Sequence, residues 1–269
     1  MTDLHKFEHE AMNTVFTLRI VEADAKVARD SASAAIQLLD EIESKLSRYI
    51  EGSDVWQINH LQKGEATFIS QLCYKCLRIA LQANEQTGGR FDCTIGRQIE
   101  HLKTGATSPL PELSGQLNID PKKPLVHCIE AGREIDLGGI GKGFALDRMR
   151  ARLLEWGIQN GLLSAGASTH LAFGENSWPI ELEDGFSKRT IQLKNHAISA
   201  SGTDIQGAHI ILPGEKTCAP SLKRLWVMDH TATAADVWST ACMLMKEKEI
   251  QTLIAQGAEI FFDKASAVD

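Results

Sequence analysis

The segment Asp136-Leu-Gly-Gly-Ile-Gly-Lys-Gly-Phe-Ala-Leu-Asp147 joins a predicted strand to a predicted helix through a glycine-rich loop with one lysine. Glycines let a backbone approach a ligand closely and direct several N–H groups toward it; those here are Gly138, Gly139, Gly141 and Gly143. The helix N-terminus adds partial positive charge and Lys142 a full one. The segment therefore favours a loop that binds an anion such as phosphate. A turn that serves only packing is the alternative.

Spacing excludes two common phosphate loops. A Walker A loop has a glycine five positions before its Gly-Lys pair and a serine or threonine after it. Those positions hold Asp136 and Gly143 here. The glycine spacing also fails to give the G-x-G-x-x-G of a dinucleotide-binding fingerprint.

Composition limits the class of protein. The 269 residues carry a net charge of −7, which argues against nucleic-acid binding. No apolar run approaches the roughly 20 residues of a membrane span. The N-terminus lacks a basic region followed by an apolar stretch, so no leader is visible. We expect a cytoplasmic location, or a periplasmic lipoprotein whose leader has been removed.

Six cysteines lie in this long chain, and two of them form the C-x-x-C pair Cys73 and Cys76. No second pair is present to complete a zinc site, and no thioredoxin-like strand precedes the pair. The sequence around them has helical periodicity. Buried cysteines on a helix face are therefore expected, and a redox or metal site is the alternative.

Hydrophobic periodicity predicts helices and strands along the whole chain. The predicted helices cover 24–49, 53–59, 71–87, 143–156, 234–246 and 249–256. The predicted strands cover 15–21, 125–129, 134–137, 162–165, 179–183, 190–194, 197–201, 208–212, 225–228 and 259–262. Runs of strands bracketed by helices predict an α+β layered fold. We expect a single domain over 1–269, with a proline-rich loop excursion near 104–124.

Three further segments carry groups capable of chemistry. Asp236 and Thr240 are four residues apart on a predicted helix, so both oxygens share one face. They suit Mg²⁺, although a carboxylate that only interacts with the helix dipole is the alternative. The segment 87–94 presents polar groups after a helix, or only caps that helix. His209 is either a general base or a structural histidine.

Ser199 and Ser201 suggest a serine hydrolase, but the chain has no G-x-S-x-G elbow.

Taken together and in order, these segments resemble the FAD:protein FMN transferases of the ApbE type, from about Ala11 to Ala241. Each motif is weak alone, and their number and order make the signal specific. The matching segments are Ala11-Met-Asn-Thr14, Leu46-Ser-Arg-Tyr49 with Ser53 and Asn59, Thr87-Gly-Gly-Arg-Phe-Asp-Cys-Thr94, Asp136-Leu-Gly-Gly-Ile-Gly-Lys-Gly143, Ser164-Ala-Gly-Ala167, Ala200-Ser-Gly202, His209-Ile-Ile-Leu-Pro213 and Ala235-Asp-Val-Trp-Ser-Thr240.

The resemblance implies an α+β flavin-transferase domain related to the T-fold, with mixed or antiparallel sheets and packed helices. It implies an Mg²⁺-dependent enzyme that splits FAD, attaches FMN through its phosphate to a threonine of a target protein, and releases AMP. FAD would contact Met12, Tyr49, Arg90, Phe91, Asp92, Asp136, Lys142 and Ile210. The metal would be held by Gly139, Asp236 and Thr240 with Ser239 nearby, and His209 would deprotonate the acceptor.

The chain departs from the family pattern at several positions. Leu212 replaces an aspartate, Asn13 a glycine, Cys93 a proline and Ala167 a glycine. We expect the apolar Leu212 to weaken catalysis more than folding. Two alternatives to a transferase follow: a pyrophosphatase that converts FAD to FMN and AMP, and a protein that binds flavin nucleotide without turnover.

Overall fold

The computed structural model describes residues 4–106, 108–183, 188–202 and 222–262. Its strands are β1 Leu4–Ala11, β2 Thr14–Val21, β3 Ala66–Phe68, β4 Gln116–Ile119, β5 Leu125–Glu130, β6 Asn160–Ala165, β7 Thr169–Phe173, β8 Trp178–Glu183, β9 Lys188–Leu193, β10 Ala197–Gly202, β11 Arg224–Asp229 and β12 Glu259–Phe261. Its helices are α1 Ala25–Leu46, α2 Asp54–Asn59, α3 Gln71–Gln86, α4 Gly96–Lys103, α5 Gly141–Glu155, α6 Ala232–Met243 and α7 Glu247–Ala255.

The strands form three antiparallel sheets. The largest has the order β1-β2-β6-β7-β10-β11-β12, a second has the order β3-β5-β4, and β8 pairs with β9 as a separate hairpin. Helices α5 and α6 pack on the large sheet, and α1 packs on α5. The predicted α+β layered fold with antiparallel sheets and packed helices is confirmed.

Because side chains alternate in direction along the central strands, the large sheet has a separate hydrophobic core on each face. Neighbouring residues of a strand point to opposite faces, so Leu163 packs with Phe144 and Met149 of α5. Its neighbour Leu162 packs with Trp226 and with the β8–β9 hairpin. Both faces of the sheet are therefore covered, which fixes the ends of β6, β7 and β10 beside α5 and α6.

The sequence of helix α1 explains where the helix begins and which face it buries. Asp24 caps it by accepting hydrogen bonds from the amides of Lys26 and Val27 at 2.8 and 3.4 Å. Its buried residues recur at helical spacing and are Ala28, Ser31, Ala32, Ala35, Leu39, Ile42 and Leu46. Within the described ranges, no helix combines the length and apolar character needed to cross a bilayer.

The structure corrects several predicted elements. Residues 134–137 form no regular strand; Glu134 makes only an isolated bridge with Ile95, because the chain turns at once into the glycine loop. The predicted loop at 104–124 contains β4, which pairs with β5. The hydrophobic pattern did not predict β1, β3, β7 and α4, because these elements are short or show no clear alternation of apolar and polar residues. The predicted strand at 208–212 lies outside the described residues.

The cysteine prediction is confirmed. Cys73 and Cys76 are fully buried on α3. Burial raises the pKa of both thiols far above the ordinary range, so neither forms a thiolate at neutral pH. They are packing residues.

His170 on β7 makes stability depend on pH. Burial lowers its pKa from 6.5 to about 4, so the unfolded chain binds this proton more readily than the folded one. Stability therefore falls as pH drops from about 6.5 through about 4. Between about pH 7 and pH 5 we expect His170 to account for a loss on the order of 1–2 kcal/mol. Urea unfolding at both pH values measures it.

The His170→Gln variant is the control, because glutamine does not titrate and can still hydrogen-bond Ser164, the partner of His170 at 2.9 Å. Its stability should fall less steeply over the same interval. Equal slopes for the variant and the parent protein would contradict the assignment.

Candidate active site

The glycine loop turns sharply into α5. Asp136 is buried, and its Oδ1 accepts a hydrogen bond from the amide of Gly138 at 2.8 Å, which closes the turn. Helix α5 begins at Gly141, two residues earlier than predicted. Gly138 is exposed, so the loop offers open backbone at the start of a fifteen-residue helix.

Arg48, two residues after the end of α1, holds the glycine loop in place through hydrogen bonds. Its guanidinium donates to the carbonyl of Gly96 at 2.7 Å and to Glu134 at 2.6 Å, and lies 3.4 Å from Asp136 Oδ2. A Cβ on Gly96 would lie 2.5 Å from this guanidinium and 2.9 Å from the backbone carbonyl oxygen of Glu134, so the site favours glycine there. Asp136, predicted to contact FAD, is thus held by the chain itself on both oxygens.

Lys142 lies in the first turn of α5. Its Nζ donates to the hydroxyl of Ser168 at 2.7 Å. Among the described residues, no carboxylate pairs with it within ion-pair distance. Its charge is therefore available to a ligand.

Asp236 lies opposite Lys142, on the second turn of α6. Its Oδ2 accepts from the amide of Gly143 at 3.0 Å, and its Oδ1 accepts from the hydroxyl of Ser199 at 3.1 Å. Burial raises the pKa of Asp236, while the Lys142 charge and these hydrogen bonds act in the opposite direction. A buried carboxylate of this kind is stabilised by a nearby cation.

Further hydroxyl groups lie near Asp236, and that of Thr240 donates to the backbone carbonyl oxygen of Asp236 at 3.1 Å. Thr240 Oγ1 lies 3.3 Å from Ser201 Oγ, and a Cβ on Gly139 would lie 3.1 Å from Thr240 Oγ1. The three predicted metal-site residues Gly139, Asp236 and Thr240 therefore come together. Ser239 is fully buried and hydrogen-bonds to Ser201 Oγ at 2.9 Å, so it supports Ser201 and Thr240 from the protein interior.

The segment after α3 borders the same space. Asp92 accepts from the amide and hydroxyl of Thr94, both at 2.7 Å, and lies 3.4 Å from Arg133. Phe91 is buried in the core with one ring edge near Gly139. Arg90 is paired with Glu249 of α7.

The β1–β2 turn consists of Met12 and Asn13, with φ values of 51° and 57°. Both fall in the left-handed region that a two-residue type I′ hairpin requires. Asparagine tolerates this region, but methionine rarely does, and the strain suggests a functional role. The amide of Met12 donates to Glu43 Oε1 on α1 at 2.7 Å, which holds the turn.

Tyr49 is anchored by α4. Its hydroxyl donates to Glu100 at 3.0 Å and accepts from Lys103 Nζ at 3.3 Å. The ring is more than half exposed. It therefore offers a flat apolar surface beside the glycine loop.

These elements enclose two adjoining clefts. The first is bordered by the predicted site residues Arg90, Phe91, Asp92, Asp136, Gly139, Lys142, Asp236 and Thr240. The second is bordered by the predicted residues Met12, Tyr49, Asp136 and Lys142. The residues common to both are Lys103, Asp136, Gly138 and Lys142. The predicted residues His209 and Ile210 lie outside the described part of the chain.

The chemistry of this arrangement suits an anionic ligand such as phosphate. One cleft combines the glycine loop, the start of α5 and the ammonium of Lys142 with the buried carboxylate of Asp236. Mg²⁺ is bound in proteins by few oxygen ligands and shares phosphate oxygens. The described residues hold no group of three or more acidic, histidine or cysteine side chains fit for a metal. Asp236, Thr240 and Gly139 offer oxygen donors, the type of ligand that Mg²⁺ prefers.

Fold and site together define a class of protein in which an antiparallel α+β layer carries a cleft beside a glycine-rich loop. The sequence profile described as the ApbE family matches residues 12–262. The chain belongs to the ApbE family.

Individual relatives agree with this membership. The FAD:protein FMN transferase of Buchnera aphidicola subsp. Schizaphis graminum is 28% identical over 249 residues, which cover 80% of this chain and 73% of that protein. That of Escherichia coli strain K12 is 24% identical over 298 residues, covering 97% and 84%. The crystal structure of the ApbE protein of Thermotoga maritima has a TM-score of 0.82 at 27% identity, covering 96% of this chain and 93% of that chain.

Proposed function

We propose that this protein is an FAD:protein FMN transferase. The observation that supports it most directly is the position of buried Asp236, with Thr240, across from the amides of the glycine loop and Lys142. Curated relatives across most of the chain carry this activity in their names. FAD is the substrate, and the partner is a target protein with an acceptor threonine.

The shape of the site supports a dinucleotide substrate. Two clefts meet at Asp136, Gly138 and Lys142, so a ligand with an anionic centre and two ring systems can occupy both at once. Its pyrophosphate bridge would lie at the junction, beside the positive helix end. The exposed ring of Tyr49 provides a surface on which one ring system can stack.

We propose that Asp236, Thr240 and the carbonyl of Gly139 hold Mg²⁺. When bound, the ion would supply charge neutralisation for the phosphate oxygens. The residues of the chain do the rest. Loop amides and Lys142 orient the bridge, because phosphoryl transfer depends on positioning and electrostatic stabilisation more than on covalent chemistry.

The transfer step forms one bond and breaks another. The acceptor hydroxyl oxygen attacks the phosphorus on the FMN side, and the P–O bond to the AMP phosphate breaks. FMN becomes a phosphoester of the threonine, and AMP leaves with the bridging oxygen. We propose that His209, on the evidence of the motif around it, takes the hydroxyl proton.

One experiment tests this function. The protein is incubated with FAD, Mg²⁺ and candidate acceptor proteins, and the products are followed by nucleotide separation and intact mass. AMP together with an acceptor heavier by one FMN moiety supports the transferase. AMP with free FMN and an unmodified acceptor would show a pyrophosphatase. Bound FAD without AMP would show binding alone.

A further inference from the structure

Four cationic side chains of the described residues line the two clefts: Arg48, Arg90, Lys103 and Lys142. Two of them are engaged by carboxylates at close range, Arg48 with Glu134 and Arg90 with Glu249. A guanidinium in such a pair has little charge left for a ligand. The two lysines are therefore the cations that remain available.

Lys103 ends α4 at the point where the clefts join. Its Nζ lies 3.9 Å from Asp136 Oδ2, beyond hydrogen-bond distance. That carboxylate is already held by Arg48 and by the amide of Gly138. The side chain of Lys103 is 32% exposed, so its ammonium is neither buried nor tightly paired.

We propose that Lys103 is a second phosphate ligand, which contacts the pyrophosphate bridge of FAD from α4 while Lys142 contacts it from α5. This inference rests on the proposed function. Lys103 borders both clefts, as Lys142 does. A dianionic bridge at the junction would meet one ammonium from each helix, and charge-assisted hydrogen bonds are the strong ones.

Lys103 also contacts Tyr49. Its Nζ lies 5.7 Å from the centroid of the Tyr49 ring and donates to the Tyr49 hydroxyl. A role limited to holding Tyr49, or to the dipole at the end of α4, would need no contact with phosphate. The two roles differ in how FAD binding responds to salt, because an ion contact with phosphate is screened and a stacking surface is not.

The test is a titration of FAD into metal-free protein in EDTA, followed by flavin fluorescence at several salt concentrations. We expect Lys103→Met to bind FAD about tenfold more weakly at low salt and with a shallower salt dependence. Lys103→Arg should keep affinity near that of the parent protein. The control is Lys75→Met on α3, because Lys75 is exposed and lines neither cleft, so it should leave both measurements unchanged.

Two results would overturn the inference: unchanged affinity in Lys103→Met, or weaker binding with the salt dependence of the parent protein. The second would assign Lys103 to holding Tyr49. Failure of the proposed function is seen separately, because the parent protein, given FAD, Mg²⁺ and the candidate acceptors, would then yield no acceptor carrying FMN. The titration of FAD remains informative in that case.

Discussion

The Asp236→Asn variant is expected to lose AMP release from FAD by about three orders of magnitude, with the fold intact. Asparagine keeps an oxygen and the volume of the side chain, so the contacts of Gly143 and Ser199 have a partner. It removes the negative charge beside Thr240 that we propose to bind Mg²⁺. Turnover measured over a range of Mg²⁺ concentrations checks the loss, and urea unfolding checks the fold.

The matched control is Asp147→Asn. Asp147 is also a buried aspartate, but it caps α6 by accepting from the amides of Ala232 and Thr233 at 3.1 and 2.9 Å, and it lines neither cleft. We expect this variant to lose stability on the order of 1 kcal/mol and to keep its Mg²⁺ response. Comparable turnover in both variants would refute the metal assignment of Asp236.

Among alanine substitutions of the four loop glycines, Gly143→Ala is expected to destabilise the protein most. A Cβ there would lie 2.2 Å from the carbonyl oxygen of Ala232 and 2.9 Å from the Cβ of Asp236. Both are rigid parts of α6, so α5 and α6 must move apart. We expect a loss of about 3 kcal/mol or more in the free energy of unfolding, measured in urea.

Gly141→Ala is the control for this prediction. It adds the same methyl two residues earlier on the same helix, and nothing lies within 4 Å of the new Cβ. Its stability should match the parent protein or exceed it slightly, because alanine favours the helix. A small effect at both positions would mean that α5 and α6 are not in tight contact at Gly143.

Sequence predicted the parts of the site that lie within short segments. The glycines and Lys142 stand together in one loop, and the four-residue spacing of Asp236 and Thr240 places both on one helix face. Such patterns depend on local backbone geometry, which the sequence encodes directly. In the structure these two segments meet where the amide of Gly143 donates to Asp236.

Contacts between distant segments were not predictable in this way. Arg48 reaches Asp136 across 88 positions and Glu43 reaches Met12 across 31. A lone arginine or glutamate carries no pattern that names its partner. Lys103 was missed because its helix, α4, was not predicted. This helix has only eight residues, most of them polar, so it has too few apolar positions to show a helical period. Because β1 was missed as well, its two-residue spacing from β2 could not point to the Met12 turn.

The direct contact of α5 with α6 at Gly143 divides the site into two halves of unequal rigidity. Asp236, Ser199 and Gly143 belong to the packed interior, so that half can open only when the protein core itself loosens. At the surface, Tyr49 bonds to Glu100 and Lys103, and Arg90 pairs with Glu249. We therefore expect these side chains, together with α4 and α7, to move when a nucleotide binds. The Asp236 carboxylate would keep its position, and the substrate would be aligned against it.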